Sequence, residues 1–196
     1  MRPYYLMMVG LPASGKSTLA AALHRVLPDA AYISSDAYIE SKAAERGQTY
    51  GECFHELIEE AGAYAREETR NALTKGRHII HDQTNLTKKS RKSKLVLIPP
   101  SYIKAALSVS VREDIRKERL AARSFDKFIP PDVDERMQAT FMFPHTEEGF
   151  HTVMGMPGDG ELDGGLRAVI EVMNYVSNQL SLREAHASPY NGVSPT

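Results

Sequence analysis

The amino-acid sequence predicts an α/β fold, a parallel sheet with helices on both faces, and two observations carry that prediction. Short apolar runs alternate with stretches of helical periodicity along nearly the whole chain, the pattern of a sheet wrapped by crossover helices. The first apolar run ends in Gly10-Leu11-Pro12-Ala13-Ser14-Gly15-Lys16-Ser17, a turn that opens an apolar-periodic helix.

Taken in order, Tyr4–Val9 reads as a buried first strand. Ser17–Leu27 sets Leu19, Ala20, Leu23, Val26 and Leu27 on one helical face, and Pro28 stops it. Ala31–Ser34 is a second strand. Between Tyr50 and Lys75, residues Phe54, Leu57, Ile58, Ala61, Tyr64, Ala65 and Leu73 recur near helical spacing, with Gly76 as the stop. His78–His81 forms a third strand ending at Asp82, and a basic helix runs from Lys88 to Leu97, before Pro99-Pro100. Tyr102–Val111 is a fourth strand and Arg112–Arg123 a helix; Ser124–Pro131 reads as a mobile loop, and Asp132–Met142 as another helix. His151–Met156 is the last strand, Gly155–Gly165 a loop and Leu166–Leu182 the closing helix. One domain is expected over residues 1–183, with a disordered tail over 184–196, where Ser, Pro, Gly and Asn replace apolar residues.

Bulk composition is that of a globular domain: 196 residues, 42% hydrophobic and 25% charged. A lone cysteine, Cys53, has no intrachain disulfide partner and points to a reducing, cytoplasmic setting. The apolar run before Gly10 is too short for a leader or a membrane span, so no membrane association is expected. Oligomeric state leaves no mark on the sequence. The net charge of −1 does not itself advertise nucleic-acid binding, but basic residues cluster in two runs. Lys88, Lys89, Arg91, Lys92 and Lys94 form the first; Arg112, Arg116, Lys117, Arg119, Arg123 and Lys127 form the second.

The segment from Gly10 to Ser17 fits the Walker A pattern, with both glycines, the lysine and the hydroxyl in register. Its chemistry requires each part. Glycines let successive backbone N–H groups turn inward on a phosphate, and the following helix adds the positive end of its dipole. The expected nucleotide contacts are Gly10, Leu11, Pro12, Ala13, Ser14, Gly15, Lys16, Ser17 and Thr18. Lys16 is placed to bridge the β- and γ-phosphates of ATP, and Ser17 to hold Mg²⁺, which keeps most of its own waters. Such a loop alone is compatible with an ATPase, a GTPase, a kinase or a binding module.

Asp36 stands at the carboxyl end of the second strand, after Ser34-Ser35, where an acceptor hydroxyl would need its proton removed. The competing reading is that Asp36 caps the next helix. Asp82 ends the third strand as a Walker-B-like carboxylate suited to Mg²⁺, and Asn85 beyond it caps a helix or contacts substrate. His78 and His81 read as local hydrogen-bonding residues.

The order of these motifs resembles the kinase domain of bacteriophage and bacterial 5′-hydroxyl polynucleotide kinases and their P-loop relatives. The matching pieces are Gly10–Thr18, Ile33–Asp36, Asp82–Leu86, Arg119 with Arg123, and Pro144 with Glu147–Phe150. The resemblance implies an adenylate-kinase-like P-loop kinase fold with a small helical lid, about residues 112–131. It implies Asp36 as general base and Arg119 and Arg123 as lid arginines on the ATP phosphates. Two residues four apart share a helical face, which agrees with that use, and Arg116 is a third candidate. Two positions depart from the pattern: Ile39 stands where those enzymes carry an arginine that grips the acceptor strand, and Leu120 where they carry an asparagine.

The chain also resembles, in size and motif order, bacteriophage DNA kinases acting on 5-hydroxymethyluracil within DNA. That similarity implies DNA as the acceptor, its base-borne hydroxymethyl projecting into the major groove and its phosphates followed by the Lys88–Lys94 run. A 5′-hydroxyl terminus is the alternative. A small-molecule kinase for a nucleoside or sugar and a non-catalytic ATP-binding regulator are further readings. The catalytic set common to the kinase readings is Lys16, Asp36, Arg119 and Arg123, with Ser17 and Asp82 at the metal.

Overall fold

The computed structural model describes residues 2–123, 127–160 and 162–187. Five strands form one sheet in the order β2-β3-β1-β4-β5, with every neighbouring pair parallel. The strands are β1 (Tyr4–Val9), β2 (Ala31–Ser34), β3 (Ile79–Asp82), β4 (Ile103–Ser110) and β5 (Thr152–Pro157). The helices are α1 (Lys16–Val26), α2 (Ser35–Glu45), α3 (Tyr50–Thr74), α4 (Lys88–Leu95), α5 (Glu113–Ala121), α6 (Pro131–Thr140) and α7 (Leu162–Ala187).

The two faces of β1 are both buried, and its residues divide between two cores by alternation. Tyr4, Leu6 and Met8 pack with Leu19 and Leu23 of α1 and with Leu166, Val169 and Met173 of α7. Tyr5, Met7 and Val9 pack with Ala65 and Ala72 of α3, Leu95 of α4, and Phe150. A satellite core joins α2 to α3 through Ile39, Ala43, Cys53, Leu57 and Ala61. Cys53 is buried there as a small apolar side chain.

Local chemistry sets the helix starts. Ser34 accepts from the Ala37 N–H and caps α2. Thr49 and Glu52 make a reciprocal capping box at α3, and Thr87 accepts from the Ser90 N–H at α4. The carboxyl ends of β1, β2 and β3 therefore all feed capped or phosphate-loop turns on the same rim of the sheet. Ligands of parallel α/β sheets bind beyond that rim.

Two C-terminal expectations change. The segment 155–165 is not all loop: β5 runs to Pro157 and α7 begins at Leu162, so Gly164 and Gly165 are helical. Leu162 packs on the α1-side core, and a side chain at Gly165 would stand 3.1 Å from the Met156 methyl. Close packing on the sheet outweighs the helix penalty of the two glycines. At its other end α7 continues through residue 184 to Ala187, past the expected boundary at 183. The remainder of the expected tail, 188–196, lies outside the described residues, as do residues 124–126 of the expected mobile loop.

Candidate functional site

The loop between β1 and α1 has the backbone of a phosphate cradle. Gly10, Ala13 and Gly15 all lie at positive φ (148°, 62° and 97°), and Gly15 immediately precedes α1. A side chain at Gly10 would stand 2.4 Å from the Val109 carbonyl oxygen, so only glycine lets the loop leave β1 beside β4. Gly158, after β5, seats against the same loop: its added Cβ would fall 1.7 Å from the Ser14 carbonyl oxygen.

Inside this loop the Lys16 ammonium folds back and donates to the Leu11 carbonyl at 2.6 Å. Burial lowers its pKa to about 8; Asp82 and Asp36 oppose that shift, and Arg123 adds to it. Lys16, Asp82, Arg123 and Asp36, drawn from four separate segments, thus share one electrostatic neighbourhood. The Ser14 hydroxyl is buried without a hydrogen-bond partner, while Ser17 and Thr18 are exposed at the start of α1. An orphaned hydroxyl, a buried cation and a loop turned through positive φ at the start of a helix form a site that fits a polyphosphate. Among the described residues no group of three or more His, Cys, Asp and Glu is placed to hold a metal. Ser17 and Asp82 suit an ion such as Mg²⁺, which takes few protein ligands.

Asp36 is not the cap of α2; Ser34 fills that role. The carboxylate sits exposed in the first turn, and its Oδ1 accepts a 3.0 Å hydrogen bond from the Tyr50 hydroxyl at the start of α3. Asp82 is buried, and its Oδ2 accepts from the Tyr32 hydroxyl at 2.7 Å. Burial and the Asp82 charge raise the Tyr32 pKa, so Tyr32 stays a donor. Sequence reasoning missed Tyr32 altogether and left Tyr50 without a role. A tyrosine two residues before a strand end is the only signal for the first.

The arginines separate by environment. Arg119 lies on the phosphate loop, its Nη1 donating to the carbonyls of Gly158 at 3.0 Å and Ala13 at 3.4 Å. Arg123 is half-buried, and its charge acts on both Lys16 and Tyr50. Arg116, the third candidate, is instead sealed inside: it makes paired hydrogen bonds to Glu113 and to Asp134, tying α5 to α6. Its side chain is 2% exposed and cannot reach a nucleotide without leaving two carboxylates behind.

The first basic run is also not a continuous surface track. Arg91 is fully buried and pairs with Glu148 through two hydrogen bonds of 2.8 and 2.6 Å, while its Nη1 donates to Asn85, Leu86 and Met142 carbonyls. Lys94 donates to Asn85 Oδ1 at 2.7 Å. Lys88, Lys89 and Lys92 remain exposed. Asn85 is buried at φ 49° and donates to the Met8 carbonyl, so it braces β3 against β1 rather than capping α4. Ile39 is fully buried in the α2–α3 core. His78 accepts from the Tyr4 N–H, and His81 lies between the Tyr5 hydroxyl and the Gln83 amide oxygen.

A family model described as an AAA domain matches residues 6–144, which include the phosphate loop, Asp36, Asp82, Arg119 and Arg123. The chain belongs to this family. No curated protein matches it. Among solved structures, a protein from Chloroflexus aurantiacus provisionally assigned as a kinase superposes with a TM-score of 0.70 at 17% identity, over 89% of this chain and 98% of that one. A gluconokinase from Sinorhizobium meliloti gives 0.59 at 16% identity, over 92% and 97%. Kti12 of Chaetomium thermophilum, solved with ADP-AlF3, gives 0.56 at 17% identity, over 85% and 97%. The fold is that of the P-loop kinases. Among the described residues no helix is long and apolar enough to cross a membrane.

Proposed function

We propose that the chain is an ATP-dependent kinase that transfers the γ-phosphoryl group to an alcohol of a small molecule. The observation that carries this reading is the joint placement of Lys16 and Asp36: a phosphate-loop cation and an acceptor-side carboxylate whose charge reaches it. A module that only senses nucleotide has no use for that carboxylate.

In the proposed reaction the acceptor hydroxyl gives its proton to Asp36 as its oxygen attacks the γ-phosphorus. The bond from that phosphorus to the β–γ bridging oxygen breaks, and ADP leaves. Lys16 and the loop N–H groups hold the charge on the β- and γ-phosphates, and Arg119 and Arg123 cover the transferring group from the α5 side. Ser17 and Asp82 would hold Mg²⁺, which would supply neutralisation of the phosphate charge. Tyr50 keeps the Asp36 carboxylate turned toward the acceptor. Helix α5, which carries Arg119, closes over the nucleotide and excludes water that would otherwise take the phosphoryl group.

A small acceptor is favoured over the nucleic acid that the sequence suggests. The position expected to grip an acceptor strand is the buried Ile39, and of the five cations in the Lys88–Lys94 run Arg91 is spent inside the protein and Lys94 is half-buried against Asn85. Structural neighbours named as a gluconokinase and as a sugar kinase point the same way. The test is transfer from γ-labelled ATP to a panel of sugars, sugar acids, nucleosides, a 5′-hydroxyl oligonucleotide and DNA containing 5-hydroxymethyluracil. Label in a small alcohol is the expected result. Label confined to DNA would overturn the choice of acceptor, and label in none, with ATP bound, the kinase itself.

A further inference from the structure

A second cavity lies away from the phosphate loop, between α3 and α4 on the opposite face of β1 and β3 from α1. Its volume is about 260 Å³, and its lining includes Arg66, Thr69, His81, Gln83 and Lys94. That is room for a small metabolite and too little for a nucleotide.

The lining has an unusual charge balance. Arg66 and Lys94 contribute two positive charges, and no aspartate or glutamate lines the cavity. Among the described residues neither cation is ion-paired; Lys94 has only the neutral Asn85 amide oxygen as partner. The Arg66 guanidinium folds back along α3 over Gly62, 3.5 Å from where a side chain there would begin, so it lies along the cavity wall. His81, on the cavity floor, is pushed down to a pKa of about 3 by burial and by the Lys94 charge. It therefore stays neutral and adds no competing charge. Burial lowers Lys94 to about 8, with no carboxylate opposing the shift. A half-buried ammonium on the wall and an exposed guanidinium on the same lining, with no counter-charge between them, leave the cavity positive and open to an anion.

We propose that this cavity is a binding site for a small phosphate-bearing metabolite. A phosphate monoester carries close to two negative charges at neutral pH and so matches the two lining cations. Arg66 offers a planar fork and Lys94 a point charge from the same lining. The Gln83 side chain joins this cavity to the rim: its Oε1 meets His81 Nε2, and its Nε2 donates to Ser35, the neighbour of Asp36.

The experiment is a titration of the full chain with inorganic phosphate and, separately, glycerol 3-phosphate, followed by backbone amide resonances. Gly62, Arg66, Ser93 and Lys94 report on the cavity, and Gly10–Lys16 report on the phosphate loop in the same spectra. Saturable shifts of the first set are expected, with the dissociation constant rising about tenfold in Arg66→Ala and in Lys94→Gln, the scale for removal of one charge-assisted hydrogen bond. Arg66→Ala changes an exposed position of α3, where the fold is expected to tolerate it. A response to glycerol 3-phosphate alone assigns the site to an organic phosphate, and a response to both assigns it to the phosphate group. Shifts confined to the phosphate loop, or cavity shifts unchanged in both variants, would overturn the proposal while leaving the kinase reading intact.

Discussion

The Tyr50 hydroxyl donates a 3.0 Å hydrogen bond to Oδ1 of Asp36, joining the first turn of α3 to the first turn of α2 at the edge of the phosphate loop. One carboxylate oxygen is thereby held by the protein. Asp36→Asn is expected to lower the rate of transfer by about 10²–10⁴-fold while leaving ATP affinity unchanged, the range for loss of a positioned base. Tyr50→Phe keeps the base but frees its orientation, and about a tenfold loss is expected, the scale of one hydrogen bond to a charged group. Single-turnover rates and nucleotide titrations check both. In the double variant the Tyr50 effect should vanish, since it acts through Asp36.

The Lys16 ammonium makes a second prediction through pH. With its pKa lowered to about 8 in the free chain, Lys16 loses its proton at a pH where an exposed lysine keeps it. Bound phosphates favour the charged form, so ATP binding takes up a proton near and above pH 8. Affinity for ATP is expected to weaken as pH rises through that range. Calorimetry at pH 8.5 in buffers of different ionisation enthalpy should show the proton uptake. Lys16→Arg, always charged, should bind without it.

How much of this was legible follows the range of each interaction along the chain. β1 and β2 are found at Tyr4–Val9 and Ala31–Ser34, as expected, because each is a short apolar run ended by a residue with a local reason to turn. The start of α3 at Tyr50 is written in the Thr49–Glu52 capping box. The phosphate loop is contiguous, so its residues could be named from spacing alone. Arg116 and Arg119 sit three apart on one helix yet face different partners, because Asp134 lies 18 residues beyond Arg116 and Gly158 lies 39 beyond Arg119. No periodicity in α5 encodes those partners. The same holds for Arg91, whose carboxylate is 57 residues away at Glu148. A basic run read as a surface was partly an interior.

The two remaining arginines of the site should be separable by kinetics. Arg119 is bonded to carbonyls of the phosphate loop and of Gly158, so Arg119→Ala is expected to weaken ATP binding as well as turnover. Arg123 lies where its charge reaches both Lys16 of the phosphate loop and Tyr50, the partner of Asp36. Its loss should lower kcat about 10²–10³-fold with little change in ATP affinity, as for removal of one donor to the transferring group. Equal loss of binding and turnover in Arg123→Ala would place it with ground-state binding groups.

The Arg91–Glu148 pair predicts acid sensitivity. Burial is the largest single influence and would raise the Glu148 pKa, but the Arg91 hydrogen bonds, the His145 N–H and the Arg91 and Lys88 charges together hold the carboxyl below its ordinary value. Stability from this pair is therefore complete above the unfolded carboxylate pKa and is lost as pH falls through the depressed folded value. Arg91→Met leaves Glu148 buried without a counter-charge and is expected to destabilise the chain by about 3–5 kcal/mol. Thermal melts at pH 7 check the loss. Arg91→Met with Glu148→Leu should recover part of it by removing the stranded charge.

The last prediction decides the acceptor class through salt. Lys88, Lys89 and Lys92 are the exposed cations of the α4 run, outside the phosphate loop. If the acceptor is a small alcohol, replacing all three by alanine removes charges that touch nothing in the reaction. Turnover with the preferred acceptor is then expected to stay unchanged, and its salt dependence to match that of the parent chain. A polyanionic acceptor behaves differently: each phosphate-neutralising lysine removed would flatten the slope of log affinity against log salt by about 0.7–0.9. A measured flattening of about two or more in the triple variant, the sum expected for three such lysines, would return the acceptor to nucleic acid, with Asp36 and the phosphate loop keeping the roles proposed for them.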